Sequence, residues 1–172
     1  AYIRGNRDAK SDDGETYDYP LSKTEITIAD IFKQKNYSTA CIGKWGLGGP
    51  GSEGQPDKHG FDYFFGYLGQ LHAHHYYPPF LWENNTKIVL DKKAYSHDLI
   101  MQKALDFIDE NSSHPFFIYL TPTIPHAELI VPEGELGEYE NKFCEKPYVG
   151  GHYCSQSKPL ATYAAMVSRL DR

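Results

Sequence analysis

Apolar positions recur early in the chain, first at helical and then at strand spacing. Thr27 is a suitable N-cap, and Asp30 stands three residues later in the capping-box position. The apolar residues that follow predict one buried helical stripe, formed by Ile28, Ile31 and Phe32. The helix should end near Asn36-Tyr37, and the apolar run 39–42 then predicts a short buried strand.

The same order of helix and strand returns between residues 96 and 120. Ser96 or Asp98 can cap a second helix, which should end at residues 111–113. Its predicted buried stripe consists of Ile100, Met101, Ala104, Leu105 and Ile108. The continuous apolar run 116–120 is typical of a strand buried on both faces of a parallel sheet. Two such units predict an α/β fold with a mainly parallel sheet flanked by helices.

The remaining segments are predicted to be less regular. Residues 46–60 should form a long surface loop, because glycines, prolines and charges alternate there without a period. The aromatic-rich stretch 61–68 fits either a strand or a packed loop, and a hairpin is predicted near 83–85, before a strand at 87–90. A final helix is marked by Tyr163, Met166, Val167 and Leu170.

Composition narrows the class of protein. The chain has 172 residues, of which 40% are hydrophobic and 15% aromatic, so it can form a packed core. The net charge is −6 and no cluster of Lys and Arg occurs, which disfavours a nucleic-acid partner. No apolar run is long enough to cross a bilayer, so no membrane span is expected. The chain starts without Met and stops inside a helical pattern, so we expect residues 1–172 to be an internal fragment of one domain in a longer protein.

Two predicted strands are followed by residues that suit an anionic ligand. Lys44 comes directly after the strand at 39–42, and His126 follows the strand at 116–120. Ligands of α/β sheets bind beyond the carboxyl ends of the parallel strands. A lysine and a histidine at one edge of the sheet would form a small cationic site for a phosphate or sulfate ester. On spacing alone, a solvated lysine and a turn histidine explain the same residues.

A dense group of histidines lies at residues 72–75. On a strand, His72 and His74 would point to one face at a spacing suitable for a metal, but no third ligand is evident nearby. We therefore expect no metal site from these residues. A polar cluster at the rim of a substrate pocket is the preferred interpretation, and surface histidines without a role are the alternative.

Two other sequence patterns have weaker implications. Residues 46–51 match the dinucleotide fingerprint G-x-G-x-x-G, but the polar residues that follow cannot begin a stable helix, so a nucleotide site is rejected. Cys41 lies in an apolar run and should be buried. Cys144 and Cys154 flank a loop rich in Gly and Tyr, which is compatible with a disulfide or with two separate thiols.

Five segments occur in an order that is informative as a set. Residues 36–48 read Asn-Tyr-Ser-Thr-Ala-Cys-Ile-Gly-Lys-Trp-Gly-Leu-Gly, and residues 60–66 read Gly-Phe-Asp-Tyr-Phe-Phe-Gly. Residues 115–120 read Pro-Phe-Phe-Ile-Tyr-Leu and precede Pro-His-Ala at 125–127, while the helical stretch 163–171 follows an irregular region. In this order they resemble the sulfatase family, within the alkaline-phosphatase-like superfamily. Residues 1–6 are similar to the region just after the family's nucleophile motif.

The resemblance implies a partial alkaline-phosphatase-like domain and a sulfuric ester hydrolase, with a sulfate-ester small molecule or a glycan as substrate. Members of the family convert a cysteine or serine to formylglycine and use a calcium ion to neutralise the sulfate. By resemblance, Lys44 would bind the sulfate and stabilise negative charge in the transition state. His126 would contact the bridging ester oxygen and act as a general acid. The compartment implied by the family is periplasmic, secreted or lysosomal.

The chain departs from the family in two respects. None of its cysteines lies in the nucleophile motif, and the calcium ligands of the family lie beyond both ends of this chain, so we predict that the fragment alone is inactive. Gly46 stands where many members have His, and glycine has no side chain to donate a hydrogen bond. We hypothesise that His72 or His74 supplies the missing polar contact to the substrate.

Two other functions remain open at this point. A phosphomonoester or phosphonate hydrolase of the same superfamily would share the scaffold, and a plain Thr or Ser nucleophile with two metal clusters would distinguish it. A non-catalytic glycan-binding homologue would also keep the fold. These alternatives are distinguished by residues outside the chain.

Overall fold

The structure is a computed structural model that describes residues 9–10, 16–17, 19–151 and 153–172. The segment 1–6, which is similar to the region after the family's nucleophile, lies outside the described residues. The chain forms two compact units, which divide between Pro122 and Thr123.

The first unit is built around a sheet of five strands. A separate antiparallel ribbon precedes it, formed by β1 (Ala9–Lys10) and β2 (Thr16–Tyr17). The strands of the main sheet are β3 (Ser38–Lys44), β4 (Tyr63–Tyr67), β5 (Phe80–Glu83), β6 (Thr86–Val89) and β7 (Phe116–Thr121). Their order is β6-β5-β4-β3-β7. β3 pairs in parallel with both β4 and β7, whereas the β4–β5 and β5–β6 pairs are antiparallel.

Helices lie on both faces of this sheet. They are α1 (Ile28–Lys33) and α2 (Ser96–Asn111). The second unit contains a helix of its own, α3 (Pro159–Asp171). Single 3-10 turns occupy Pro56–Lys58, His72–His74 and Gly137–Tyr139. The predicted α/β class is confirmed, and so is the hairpin at 83–85, which joins β5 to β6. The sheet is parallel at β3 and antiparallel towards β6.

The two faces of the sheet have separate cores because neighbouring strand residues point in opposite directions. Cys41 and Phe64 pack on the face that contains Ala29 of α1. Ile42 and Phe65 pack on the other face, against α2. The α2 side chains that contribute to this second core are Ile100, Ala104 and Phe107.

The capping box predicted for α1 is confirmed. The Asp30 amide donates to Thr27 Oγ1 over 3.3 Å, and the Thr27 amide donates to the Asp30 carboxylate over 2.8 Å. The cap predicted for α2 is wrong, because Tyr95 is at the N-cap and caps with no side-chain hydrogen bond. Ser96 is instead the first helical residue and is buried.

The predicted buried stripes of both helices are partly wrong. Ile28 and Ile31 are more than half exposed, whereas Ala29 is fully buried. The backbone of α1 lies so close to Gly60 that a Cβ there would be 2.7 Å from the Ala29 carbonyl carbon, so this approach of the helix requires glycine at position 60. In α2, the face that packs on the sheet contains Phe107 and not Leu105, so Leu105 is 55% exposed.

Two further expectations about burial are corrected. Among the described residues β7 pairs only with β3, so it is an edge strand, and Tyr119 and Leu120 are exposed instead of being buried on both faces. Residues 46–60 are irregular, as expected, but much of the segment is buried. The Trp45 indole donates to the Gly54 carbonyl over 2.8 Å and holds the segment against the core.

The second unit, residues 123–172, packs around α3. The predicted final helix is confirmed, but its buried residues are Ala161, Thr162, Ala165 and Met166. Glu145 accepts hydrogen bonds from the Leu160 and Ala161 amides at 3.0 and 2.8 Å. A carboxylate at the N-terminus of a helix accepts hydrogen bonds from N–H groups that have no partner within the helix, and it complements the helix dipole. In the described part of the chain no helix is long and apolar enough to cross a membrane.

Candidate active site

Lys44 is the last residue of β3, which is the strand between β4 and β7. All three strands run parallel, so their carboxyl ends meet at one edge of the sheet. Lys44 pairs with Tyr67 of β4, and the Thr121 hydroxyl of β7 donates to the Lys44 carbonyl over 2.8 Å. The Lys44 side chain is half-buried. The strand end therefore holds the lysine backbone from both sides at the edge where ligands of α/β sheets bind.

Two glycines draw these strand ends together. Gly43 and Gly66 are paired across β3 and β4 and have φ angles of 122° and 142°. A Cβ on Gly43 would lie 2.5 Å from the Thr121 carbonyl carbon, and a Cβ on Gly66 would lie 2.7 Å from the Gly43 carbonyl carbon. No side chain fits at either position, so the spacing of the strands beside Lys44 depends on the glycine pair.

The opposite end of β3 is fixed by Asp62. Its carboxylate accepts hydrogen bonds from the Thr39 amide and hydroxyl at 3.1 and 2.9 Å and an ion pair from Lys33 at 2.6 Å. Burial by itself raises the pKa of Asp62, but the hydrogen bonds from Lys33 and Thr39 outweigh it and keep the pKa below its ordinary value. This contact explains why a Gly-Phe-Asp element follows the lysine motif: it joins α1 and the starts of β3 and β4.

Beyond Lys44 the backbone hydrogen bonds between the β3 and β4 segments continue for two more residues. The Trp45 amide donates to the Tyr67 carbonyl over 2.9 Å, and the Gly46 amide donates to the Leu68 carbonyl over 3.0 Å. Gly46 is buried and has a φ of 74°. A Cβ on Gly46 would collide with the Gln70 side chain, at 2.6 Å from Cδ and 2.9 Å from Cγ and nearer still to Nε2. Gln70 is thus the side chain that fills the space above Gly46.

Sequence reasoning missed Gln70. The contact joins two chain segments that are 24 positions apart, so no local pattern shows it. The only signal was indirect, since a glycine at position 46 leaves room that another side chain must fill.

His72 and His74 lie on a 3-10 turn and not on a strand, so the strand geometry considered for them does not apply. His72 is buried between aromatic rings, with centroids 5.1 Å from Tyr67 and 4.3 Å from Phe80. Its Nε2 has no hydrogen-bond partner among the described residues. Burial, together with the charges of His75 and Lys87, lowers the pKa of His72 to about 4. His72 is therefore neutral near pH 7. His74, on the same turn, is half-buried.

His126 belongs to the second unit, where it is exposed in a turn. Its amide donates to the Thr123 carbonyl over 3.1 Å, and its Nδ1 lies 2.6 Å from the Ala127 carbonyl oxygen. Lys44 and His126 are in different units, so their pairing in one site stays a prediction.

The cysteines offer no reactive thiol in the sheet, and they do not combine with other side chains of the described residues into a metal site. Cys41 is fully buried, as expected, and burial raises its pKa far above the ordinary value. Cys144 and Cys154 are exposed free thiols, which agrees with the second of the two alternatives for that pair. Within the described ranges, no group of three or more His, Cys, Asp or Glu residues could hold a metal ion.

Comparison with known proteins identifies the family. The family model described as Sulfatase matches residues 7–172. An N-acetylglucosamine-6-O-sulfatase of Bacteroides thetaiotaomicron is 33% identical over 122 residues, which cover 70% of this chain and 20% of that protein. Arylsulfatase J of Mus musculus is 30% identical over 165 residues, which cover 88% of this chain and 25% of that protein. The chain thus spans a fifth to a quarter of the length of these relatives.

Solved structures agree with this assignment. The crystal structure of Ps i-CgsB matches 99% of this chain and 38% of its own, with a TM-score of 0.72 and 23% identity, which supports the fold. A protein solved with its substrate D-glucosamine-2-N,6-O-disulfate matches 75% of this chain and 24% of its own, with a TM-score of 0.59 and 30% identity. The α/β sheet with Lys44 at its edge is therefore part of an alkaline-phosphatase-like domain, and the chain belongs to the sulfatase family.

Proposed function

We propose that this chain is part of a sulfuric ester hydrolase in which Lys44 binds the sulfate group. The observation that carries the proposal is the position of Lys44 in a chain of this family, at the carboxyl end of the strand between two parallel neighbours. A lysine ammonium is a compact charge with three donors, which suits a sulfate whose oxygens gain charge during hydrolysis. The half-buried side chain increases the strength of that interaction relative to one in bulk water.

We propose His126 as the general acid that protonates the bridging ester oxygen. A departing alkoxide needs a proton, and imidazole exchanges protons near neutral pH. The contact between His126 Nδ1 and the Ala127 carbonyl uses the proton on that nitrogen. In the imidazolium form, which has a proton on each ring nitrogen, Nε2–H is the donor to the ester oxygen. Its transfer leaves a neutral imidazole that keeps the Nδ1 proton on the Ala127 carbonyl.

His72 and His74 stay proposals as substrate contacts. His74 is the more accessible of the two, since His72 is enclosed by Tyr67 and Phe80. Most rings of the aromatic segment 63–82 are buried in the core, so they support the sheet and do not offer a platform for sugar rings.

The proposed mechanism of the whole enzyme includes formylglycine and calcium. The described residues do not fit a calcium ion by themselves, because they contain no cluster of three metal-binding side chains. Cys41 does not fit the nucleophile either, because it is fully buried and its thiol pKa is raised. We therefore derive no step through either group from this chain, and we propose that other segments of the protein supply both.

The substrate is proposed to be a sulfated carbohydrate. This rests on similar proteins, one of which is described as an N-acetylglucosamine-6-O-sulfatase. Ps i-CgsB has been solved in complex with k-i-k-neocarrahexaose, with 25% identity to this chain and a TM-score of 0.67. The same proposal places the enzyme in a periplasmic, secreted or lysosomal compartment, by resemblance to the family alone.

The test uses the full-length protein with aryl sulfates, sulfated glycans and phosphate monoesters as substrates. We expect sulfate-ester turnover, and we expect Lys44→Met to lower kcat/KM by about a hundredfold to a thousandfold because a preorganised donor is lost. Lys35→Met, in the exposed turn after α1, is the matched control and should keep wild-type kinetics. Equal rates for Lys44→Met and wild type would contradict the role of Lys44, and preferred hydrolysis of phosphate esters would favour the phosphohydrolase alternative.

A further inference from the structure

Gln70 occupies a position beside Lys44 that no motif identifies. It lies just beyond the end of β4, and its amide covers the buried backbone of Gly46, two residues after Lys44. The three atoms nearest to the position of a Cβ on Gly46 all belong to Gln70. In this conformation the Gln70 amide occupies the space that a side chain at position 46 would take, and the φ of 74° independently favours glycine there.

The backbone around Gln70 is held at both ends. On its N-terminal side, the Leu68 carbonyl accepts the hydrogen bond from the Gly46 amide. On its C-terminal side, the Ala73 amide donates to the Gly69 carbonyl over 3.3 Å, and the Tyr67 hydroxyl donates to the His75 carbonyl over 2.7 Å. Because these bonds hold the backbone of the segment, ligand binding does not have to order the loop that carries Gln70.

The chemistry of the amide suits the same ligand as Lys44. A glutamine offers two N–H donors and one carbonyl acceptor without adding charge. Sulfate oxygens accept hydrogen bonds, and donors to an anionic acceptor form the stronger class of hydrogen bond. Both Lys44 and Gln70 are half-buried at the carboxyl ends of neighbouring parallel strands, which is where such a ligand enters.

We infer that Gln70 is a second sulfate-binding residue, which donates from its amide to the group held by Lys44. The Gln70 amide lies where a side chain at position 46 would begin. The inference rests on the proposed function and identifies a residue other than His72 and His74 for the polar contact that Gly46 cannot make.

The experiment compares Gln70→Met and Gln70→Glu in the full-length protein, with Gln102→Met on the exposed side of α2 as the matched control. Methionine keeps the length of the side chain over Gly46 and removes both donors, whereas glutamate keeps the shape and adds a negative charge. The measurements are kcat/KM for an aryl sulfate, the Kd of inorganic sulfate by calorimetry, and the Tm.

For Gln70→Met we expect kcat/KM to fall and the sulfate Kd to rise by about tenfold to a hundredfold, with a Tm close to that of wild type. Gln70→Glu should weaken sulfate binding further because like charges repel. Gln102→Met should match wild type in all three measurements.

A wild-type sulfate Kd and kcat/KM in Gln70→Met would overturn the inference, and the proposed function would stand. If that variant does not fold, Gln70→Glu decides: unchanged sulfate binding despite the added charge overturns the inference equally. A wild-type protein that neither hydrolyses sulfate esters nor binds sulfate overturns the proposed function, and the inference with it.

Discussion

His72 is an ionisable residue enclosed by a hydrophobic core. Its ring packs against Tyr67 and Phe80, and the ammonium of Lys87 lies 4.2 Å from the centroid of that phenylalanine ring. Burial removes the water that would stabilise an imidazolium, and the nearby positive charges oppose it further. The folded protein therefore favours neutral His72, with a pKa of about 4 instead of 6.5.

This shift makes stability depend on pH in a defined direction. Below pH 6.5 the unfolded chain binds a proton at His72 that the folded chain binds only near pH 4, so the stabilisation is present above pH 6.5 and is lost as the pH falls towards 4. At pH 4.5 the loss should be about 2 kcal/mol. His72→Gln should reduce the difference between the unfolding free energies at pH 7.5 and pH 4.5 by that amount.

The measurement is denaturant unfolding of the full-length protein at the two pH values. His114→Gln is the control, because His114 is exposed in the turn before β7, and it should keep the wild-type difference. An unchanged difference in His72→Gln would show that His72 does not carry the pH dependence.

At the residue scale, sequence could predict Lys44 but not Gln70. Lys44 is part of a contiguous motif at the end of an apolar strand, and both features can be read along the chain. Gln70 has its role from a contact across two strands, and that contact depends on the parallel pairing and its register. The buried position of His72 was missed for a similar reason: the histidine-rich segment forms a 3-10 turn packed against β4 and β5, and only the fold brings those rings together.

At the element scale, α2 shows that apolar residues at helical spacing are not all buried. Ile100 and Leu105 both belong to the stripe predicted from sequence, but the first is fully buried and the second is 55% exposed. The inner face of α2 is centred on Ile100, Ala104 and Phe107, which pack on the sheet residues Ile42 and Phe65.

Ile100 and Leu105 have side chains of similar size, so truncating each to alanine tests the orientation of α2. Ile100→Ala should lower the free energy of unfolding by about 2–5 kcal/mol, because it removes buried methyl groups and leaves a cavity. Leu105→Ala should change it by less than about 1 kcal/mol, because that side chain stays largely in water and alanine is an equally good helix former. Denaturant unfolding of both variants measures the difference, and equal losses would contradict the orientation of the helix.

The errors at the element scale have one physical origin. Periodicity and capping signals locate α2 to within about two residues, but the inner face of a helix depends on what lies opposite it. In α1 the inner face is at Ala29, where the helix backbone approaches Gly60 closely, and Ile28 and Ile31 remain exposed. The apolar run of β7 likewise predicts a strand buried on both faces, whereas β7 lies at the edge of the sheet that the described residues form, and Tyr119 and Leu120 are exposed.

At the scale of the whole molecule, the affinity for a sulfate that we propose would have to come from local groups. The chain has a net charge of −6, so its overall field does not attract a sulfate ester. Donors fixed at short range, such as Lys44, have to overcome that repulsion. The fold class and the family were predictable at this scale because the ordered motifs extend over nearly the whole chain.

The chain spans only a fifth to a quarter of the length of its relatives, and this leads to a prediction about activity. We expect the isolated 172-residue chain to show no turnover of an aryl sulfate, whereas the full-length protein hydrolyses it. The reason is that a lysine and a general acid assist a nucleophile and a metal ion but do not replace them. Steady-state assays of both proteins at equal concentration test this, and measurable turnover by the isolated chain would show that it contains its own nucleophile.

The close approach of Gly43, Gly66 and Thr121 also limits how the protein can vary. A substitution scan across this region should tolerate no residue with a Cβ at either glycine, although the two positions are 23 residues apart in the sequence. Compensation by a second mutation would need the three strands to move apart, and that movement would displace the lysine they hold. Variation that keeps this fold is therefore confined to side chains outside the strand ends, and the position of Lys44, the proposed sulfate-binding residue, is inherited with the backbone.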